Sequence, residues 1–248
     1  MKRTIAGLAL AATLAVAAAA VQTRPYWAAP DAAQAQAWLR DAADRHDAGA
    51  EAALARWAAR ANAPARHAYA GLLAHRADAG SQLRLRQLLA DGAAAGDAAD
   101  ATQLAELLEH LQATSGNRRD DSRIARLLAQ GSAAHVPAAS RLLGLRALDA
   151  SRGTPDAARA AALMGEAAEG GDVPAMFLFA NMLRAGQGVP RDDARALALY
   201  ERAGDADYAP AIQALAIAWR YGELGLQADA SQSRLMDHEA AEALAHAR

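Results

Sequence analysis

From Ala175 onward, apolar side chains return at Phe179, Met182 and Leu183, and Gly186 closes the series. Those offsets place them on one side of a helix. Polar Asn181 and Arg184 fall between them. The run Gly186-Gln187-Gly188-Val189-Pro190 then breaks the helix, because glycine reaches positive φ at no steric cost and proline lacks an amide donor. Asp192 or Asp193 is placed to cap a second helix from Ala194 to Ala203. Each helix is about three turns long, too short to stay folded alone. The pair must bury its apolar sides against each other and against a neighbouring pair.

That neighbour is predicted by a period. The dipeptide Pro-Ala occurs at Pro64-Ala65, Pro137-Ala138, Pro174-Ala175 and Pro210-Ala211. The last three are spaced by 37 and 36 residues, and the first gap of 73 spans two such periods. Proline suits the first turn of a helix, where its missing N–H would have no partner in any case. The missing start falls near Asp100-Ala101, where Asp100 can act as a cap. Five units follow: about 64–99, 100–136, 137–173, 174–209 and 210–248. Residues 21–63 precede them, and 31–61 predict one or two further helices that cap the N-terminal end.

Composition agrees with helices throughout. Alanine makes up close to a third of the chain, and Leu, Arg, Glu and Gln are also good helix formers. Beyond residue 20, the Val and Ile positions number only seven: Val21, Ile124, Val136, Val173, Val189, Ile212 and Ile217. A pleated sheet has little to cover it. Small side chains bury little area each but let helix axes approach closely, which favours many short-range packings in series. The net charge of −2 leaves no basic footprint for nucleic acid. The arginines are scattered among acidic residues. With no cysteine, disulfides, thiol nucleophiles and cysteine-based zinc sites are all excluded.

The N-terminus carries an export pattern. Lys2 and Arg3 precede an uncharged, mostly apolar stretch from Ile5 to Val21, which ends in Ala17-Ala18-Ala19-Ala20. Positive, apolar and small-residue segments in that order form a cleavable signal peptide over residues 1–20. The alternative is an uncleaved anchor, at the lower length limit for a bilayer span. No second apolar span follows, so the mature chain carries no membrane span and is expected in the periplasm or outside the cell.

One stretch resembles a known family. Ala175, Phe179-Ala180, Leu183 and Gly186-Gln187-Gly188-Val189 are followed by Asp192, Arg195-Ala196 and Leu199-Tyr200-Glu201-Arg202-Ala203. This run resembles the Sel1-like repeat, a relative of the tetratricopeptide repeat with a unit of similar length. The half-unit before it matches through Arg159-Ala160, Glu166-Ala167-Ala168, Gly171 and Pro174-Ala175. The next unit matches through Ala211, Leu215-Ala216, Trp219 and Gly222. The resemblance covers about 156–222; over 64–155 the loops lack the Gly-x-Gly-Val element. It implies an all-α, right-handed α-solenoid of stacked antiparallel helix pairs, used to hold protein or peptide partners. Cysteine-rich relatives are linked to β-lactam binding, but this chain has neither cysteine nor a Ser-x-x-Lys sequence.

Candidate chemistry is sparse. Gly186-Gln187-Gly188 lacks the strand, third glycine and lysine of a phosphate loop, and reads as a turn. His238, Glu242 and His246 share one helical side and have the chemistry of zinc ligands, but on a terminal helix rich in Ala, Glu and His they read as a solvated surface. His67 and His75, with Tyr69 between them, read as helix-surface residues with no serine nucleophile sequence nearby. Trp38, Trp57, Trp219 and Tyr200 fall at core spacing. No catalytic residue, metal site or cofactor is expected. The leading reading is an adaptor for a protein or peptide; a cell-wall or β-lactam hydrolase and a structural spacer of an envelope complex are the alternatives.

The inner groove of such a solenoid is lined by the first helix of each pair. In the fourth unit the side away from the packing holds Phe177, Asn181 and Arg184. The same offsets give Gln213, Ile217 and Arg220 in the fifth, His67, Gly71 and Ala74 in the first, and Gln103, Leu107 and His110 in the second. These residues are the expected binding face, with Asn181, Arg184 and Arg220 offering polar contacts and Phe177 and Ile217 an apolar floor. For the leader, N-terminal sequencing of the protein extracted from cells should begin near Val21. Intact Met1 in the membrane fraction would point to the anchor instead.

Overall fold

The computed structural model describes residues 26–115 and 119–246. The expected signal peptide lies outside the described residues. The described residues contain twelve α-helices and one short 3-10 turn, and no strand. They divide into two compact units, one up to Leu104 and one from Ala105 onward. None of these helices is long and apolar enough to cross a membrane.

The first unit holds α1 (Ala32–Asp44), α2 (Ala48–Ala58), α3 (Ala63–Ala74), α4 (Ala79–Ala94) and the start of α5 (Ala98–Ser115). Each of the first four helices opens on a side chain that accepts from free first-turn amides: Asp31 from Gln34 N, Asp47 from Gly49 N, Asn62 from Ala65 N and Asp78 from Ser81 N. Helices α1, α2 and α3 pack mutually, and α4 packs on α3. Trp38, Leu54, Tyr69, Leu73 and Leu89 fill the space between them. Trp57 is half-buried at the edge, where its Nε1 donates to the Tyr26 carbonyl at 3.1 Å. Glu51 on α2 accepts both terminal nitrogens of Arg76, each at 2.7 Å, which ties α2 to the end of α3.

The second unit continues α5 and adds α6 (Asp121–Ala133), α7 (Pro137–Leu148), the 3-10 turn (Ala150–Arg152), α8 (Ala157–Glu169), α9 (Val173–Ala185), α10 (Asp193–Gly204), α11 (Ala209–Tyr221) and α12 (Ala230–His246). Consecutive helices pack from α6 through α12. Helix α9 is capped by Asp172 and α10 by Asp192, each accepting a first-turn amide. At the far end of α9, Gly186 takes the left-handed conformation with φ 66° and closes the helix. One core runs through Ala160, Met164, Phe179, Ala180, Leu183, Tyr200, Ala203 and Leu215. The space is kept small by glycine and alanine. A β-carbon on Gly165 would lie 3.3 Å from the Phe179 ring, and one on Gly144 would lie 3.0 Å from Met164 Cε.

Two arginines brace the near end of this unit. Arg146 and Arg152 share Glu109 and Asp121 between them, and Arg152 also bonds Asp149 at 2.8 Å. Burial works against the charge on Asp121, but hydrogen bonds from Arg152 and Arg146 outweigh it and hold that carboxyl below its ordinary range. The network joins α5, α6, α7 and the 3-10 turn by charge.

Ala180 is fully buried between α9 and its neighbours. Ala180→Leu should therefore overpack the core and lower stability by about 1–3 kcal/mol. Urea unfolding followed by circular dichroism measures this; an unchanged midpoint would mean that the site has room to spare.

Candidate functional site

The residues expected to form a binding face are distributed over both units. His67 and Gln103 belong to the first; His110, Phe177, Asn181, Arg184, Gln213, Ile217 and Arg220 belong to the second. In the second unit α9 carries Phe177, Asn181 and Arg184, and α11 carries Gln213, Ile217 and Arg220 at the same offsets. Phe177 is half-buried, with its ring 5.8 Å from that of Tyr200 and 5.7 Å from that of Tyr208. The Tyr200 hydroxyl donates to Asn181 Oδ1 at 2.6 Å. A phenol buried in an apolar core needs such an acceptor, and burial pushes the Tyr200 hydroxyl above its ordinary value. Asn181 thus has its carbonyl oxygen committed to the fold.

The two arginines also meet the protein's own acids. Arg184 donates to Glu223 at 3.3 Å, and Arg220 donates to Asp237 at 2.6 Å and to Ser233 at 3.2 Å. Both ion pairs are exposed, so each contributes little to stability. Gln213 and His110 are exposed. Ile217 is 43% exposed, and Tyr221, one turn further along α11, is 68% exposed. Tyr221 was not among the sequence-derived residues; its spacing from Gln213 and Ile217 is the signal that identifies it. Gln213, Ile217, Arg220 and Tyr221 make one exposed stripe on α11, with an ion pair at each margin.

A different group forms in the first unit. His67 and Arg66 stand side by side on α3, and Asp97 and Asp100 stand at the start of α5. Arg66 bonds Asp97 Oδ2 at 2.6 Å through Nη2 and bonds Asp100 Oδ2 through Nε. His67 Nε2 lies 3.1 Å from Asp97 Oδ2 and 3.4 Å from Asp100 Oδ1. Asp97 Oδ1 meanwhile accepts from the amides of Ala99 and Asp100 and caps α5. Burial raises the Asp100 carboxyl above its ordinary range despite Arg66. Burial also acts on Asp97, but there the Asp100 amide and the charges of His67 and Arg66 prevail and lower it. Gly92 of α4 makes the arrangement fit, because a β-carbon there would overlap the Asp100 carboxylate. Sequence spacing reads His67 as a helix-surface residue, whereas the structure sets it against two aspartates. Its acids come from about 30 residues further on, out of reach of any local pattern.

The remaining histidines do not assemble in this way. His238 Nδ1 stands 3.8 Å from Glu242 on the exposed side of α12, and His75 closes α3 at an exposed position. Among the described residues, the one triplet of His, Asp or Glu whose potential ligand atoms all lie within 4.8 Å of one another is His67, Asp97 and Asp100.

With this geometry in hand, known structures give the comparison. A crystal structure of a Sel1 repeat protein from Oxalobacter formigenes aligns with a TM-score of 0.66, over 77% of this chain and 75% of that one, at 18% identity. A protective antigen present in uropathogenic Escherichia coli strains, displaying an SLR fold, aligns with a TM-score of 0.64 over 86% of this chain, at 19% identity. This chain spans 46% of that antigen's length. The chain has the Sel1-repeat fold. No family model and no curated protein matches the sequence. The Sel1-type architecture accounts for the Pro-Ala helix starts, the Gly186–Gly188 loop and the serial helix packing together.

The buried charges in the first unit give a direct test. Arg66→Met would leave Asp97 and Asp100 without their cation, and should cost about 3–5 kcal/mol. Adding Asp100→Asn to that variant should recover part of the loss. Chemical denaturation of the three proteins reads both effects; a neutral Arg66→Met would show that the pair carries no net interaction.

Proposed function

We propose that this protein is an exported scaffold of the bacterial cell envelope that holds a protein or peptide partner. The Sel1-repeat fold is the observation that carries the reading. Such a fold turns a series of short helix pairs into an extended surface, and extended surfaces of this kind are suited to a peptide, a loop or a helix of another protein. The Lys2-Arg3 leader pattern with its Ala17–Ala20 end supports export.

Within the second unit, the exposed stripe on α11 is the contact surface best suited to this role. Ile217 and Tyr221 offer apolar and aromatic area, and aromatic side chains with a polar tip are favoured at interfaces. Gln213 adds a donor and an acceptor for a partner's backbone. The Arg184–Glu223 and Arg220–Asp237 pairs present both signs of charge at the margins, where they set register and orientation more than affinity.

The test is affinity purification from envelope extract with the unaltered protein and with Ile217→Glu combined with Tyr221→Glu. Both positions are exposed, so the melting temperature should stay within a degree or two. Partners recovered with the unaltered protein should be lost from the double variant. Recovery of the same partners in the same amounts would remove α11 from the binding surface, and recovery of no specific partner by either protein would count against the scaffold role.

A further inference from the structure

We propose that His67, Asp97 and Asp100 form a binding site for one divalent zinc ion. The group contains an orphaned atom. The Asp100 side chain is fully buried, and its Oδ1 accepts no hydrogen bond. Its other oxygen, Oδ2, is held by Arg66. A buried carboxylate oxygen without a donor is rare in folded proteins and calls for a positive group. The group it faces is His67 Nε2, at 3.4 Å.

A proton on that nitrogen does not settle the matter. One Nε2–H points along one line, and Asp97 Oδ2 stands closer, at 3.1 Å. A hydrogen bond to Asp97 leaves Asp100 Oδ1 unpaired. The potential ligand atoms of the three residues all lie within 4.8 Å of one another, close enough for one metal ion to draw all three onto itself. Zinc bonds to imidazole nitrogen and carboxylate oxygen are about 2.0–2.2 Å, so two ligands of a tetrahedral ion stand about 3.3 Å apart. The two separations from His67 Nε2, 3.1 and 3.4 Å, bracket that value.

The surroundings fit the same ion. One imidazole with two carboxylates is a donor set that zinc accepts, whereas magnesium and calcium prefer oxygen alone. Three protein ligands leave a fourth position, and the His67 side chain, at 38% exposed, provides the opening to solvent. Arg66 hydrogen-bonds both carboxylates and fixes their orientation, as the outer partners of metal ligands do. Asp97 Oδ2 already accepts from Arg66 and has a second lone pair to offer. The two aspartates and Arg66 sum to one negative charge, which a divalent cation reverses. Gly92 of α4 packs directly on the group, and any side chain there would displace the Asp100 carboxylate and Arg66.

The experiment is calorimetric titration of untagged, EDTA-treated and dialysed protein with zinc chloride at pH 7.5. The expected result is saturable binding of one zinc ion per chain, with a rise in melting temperature at saturation. His67→Ala, and His67→Gln as a variant that keeps a hydrogen-bonding side chain, should each weaken binding by at least about tenfold, since loss of even an outer partner costs that much. His238→Ala combined with His246→Ala should leave it unchanged. The proposal is overturned if the unaltered protein binds no zinc. It is equally overturned if both His67 variants bind as tightly as the unaltered protein, or if binding disappears in the α12 variant.

Discussion

Gly188 sits against the backbone of the preceding helix pair. A β-carbon on it would overlap the Ala157 carbonyl at the start of α8, and its own φ is 70°. Two demands therefore meet at one residue: a left-handed turn, which glycine takes without steric cost, and a backbone-to-backbone contact, which any β-carbon would block. The loop can fold over the previous pair only because of it, and α10 can then lie beside α8. The same economy of side chain recurs deeper in the stack. Gly165 accepts the Phe179 ring, Gly144 accepts Met164, and Gly170 stands against Pro137. With so much alanine in the chain, contact comes from close axes and not from large side chains.

Polar groups follow the same geometry. In a repeat array, many residues close in space lie roughly one helix pair away in sequence. Arg66 meets Asp97 and Arg141 meets Asp172, in both cases 31 residues on, each joining one helix to the aspartate that caps a later one. Arg146 meets Glu109 and Arg184 meets Glu223 at separations of 37 and 39. Within each unit, these bonds tie one helix to another about one helix pair away. They also explain why polar side chains on the expected binding face are partly committed. Asn181 is needed by Tyr200, a side chain that could not be buried otherwise.

The fold was legible where local chemistry was strong. Gly186, Gly188 and Pro190 fix a turn, Pro174 and Pro210 mark helix starts, and the few β-branched residues leave no sheet to build. Helices α9, α10 and α11 start and stop where that punctuation stands. The candidate sites were less legible. Helical offsets found Ile217 and stopped short of Tyr221, because the pattern was read over two turns and the stripe runs for a third. The group around His67 was invisible to local spacing, since its acids lie on the next helix pair and its space is opened by Gly92 on a third helix. A search that pairs an arginine or histidine early in one helix with the capping aspartate about 31 residues later, a few residues short of the repeat period, is the signal that finds it.

The dependence of the stack on close backbone approach is tested most directly by comparing two glycines of one loop. Gly186 and Gly188 have nearly the same positive φ, 66° and 70°, but a β-carbon on Gly186 meets nothing nearer than 3.7 Å. Thermal unfolding of Gly186→Ala should show only the backbone cost, about 1–2 kcal/mol. Gly188→Ala should lose about 1–3 kcal/mol more, because the Ala157 carbonyl must move as well. Equal losses in the two variants would contradict the account and reduce both glycines to turn formers.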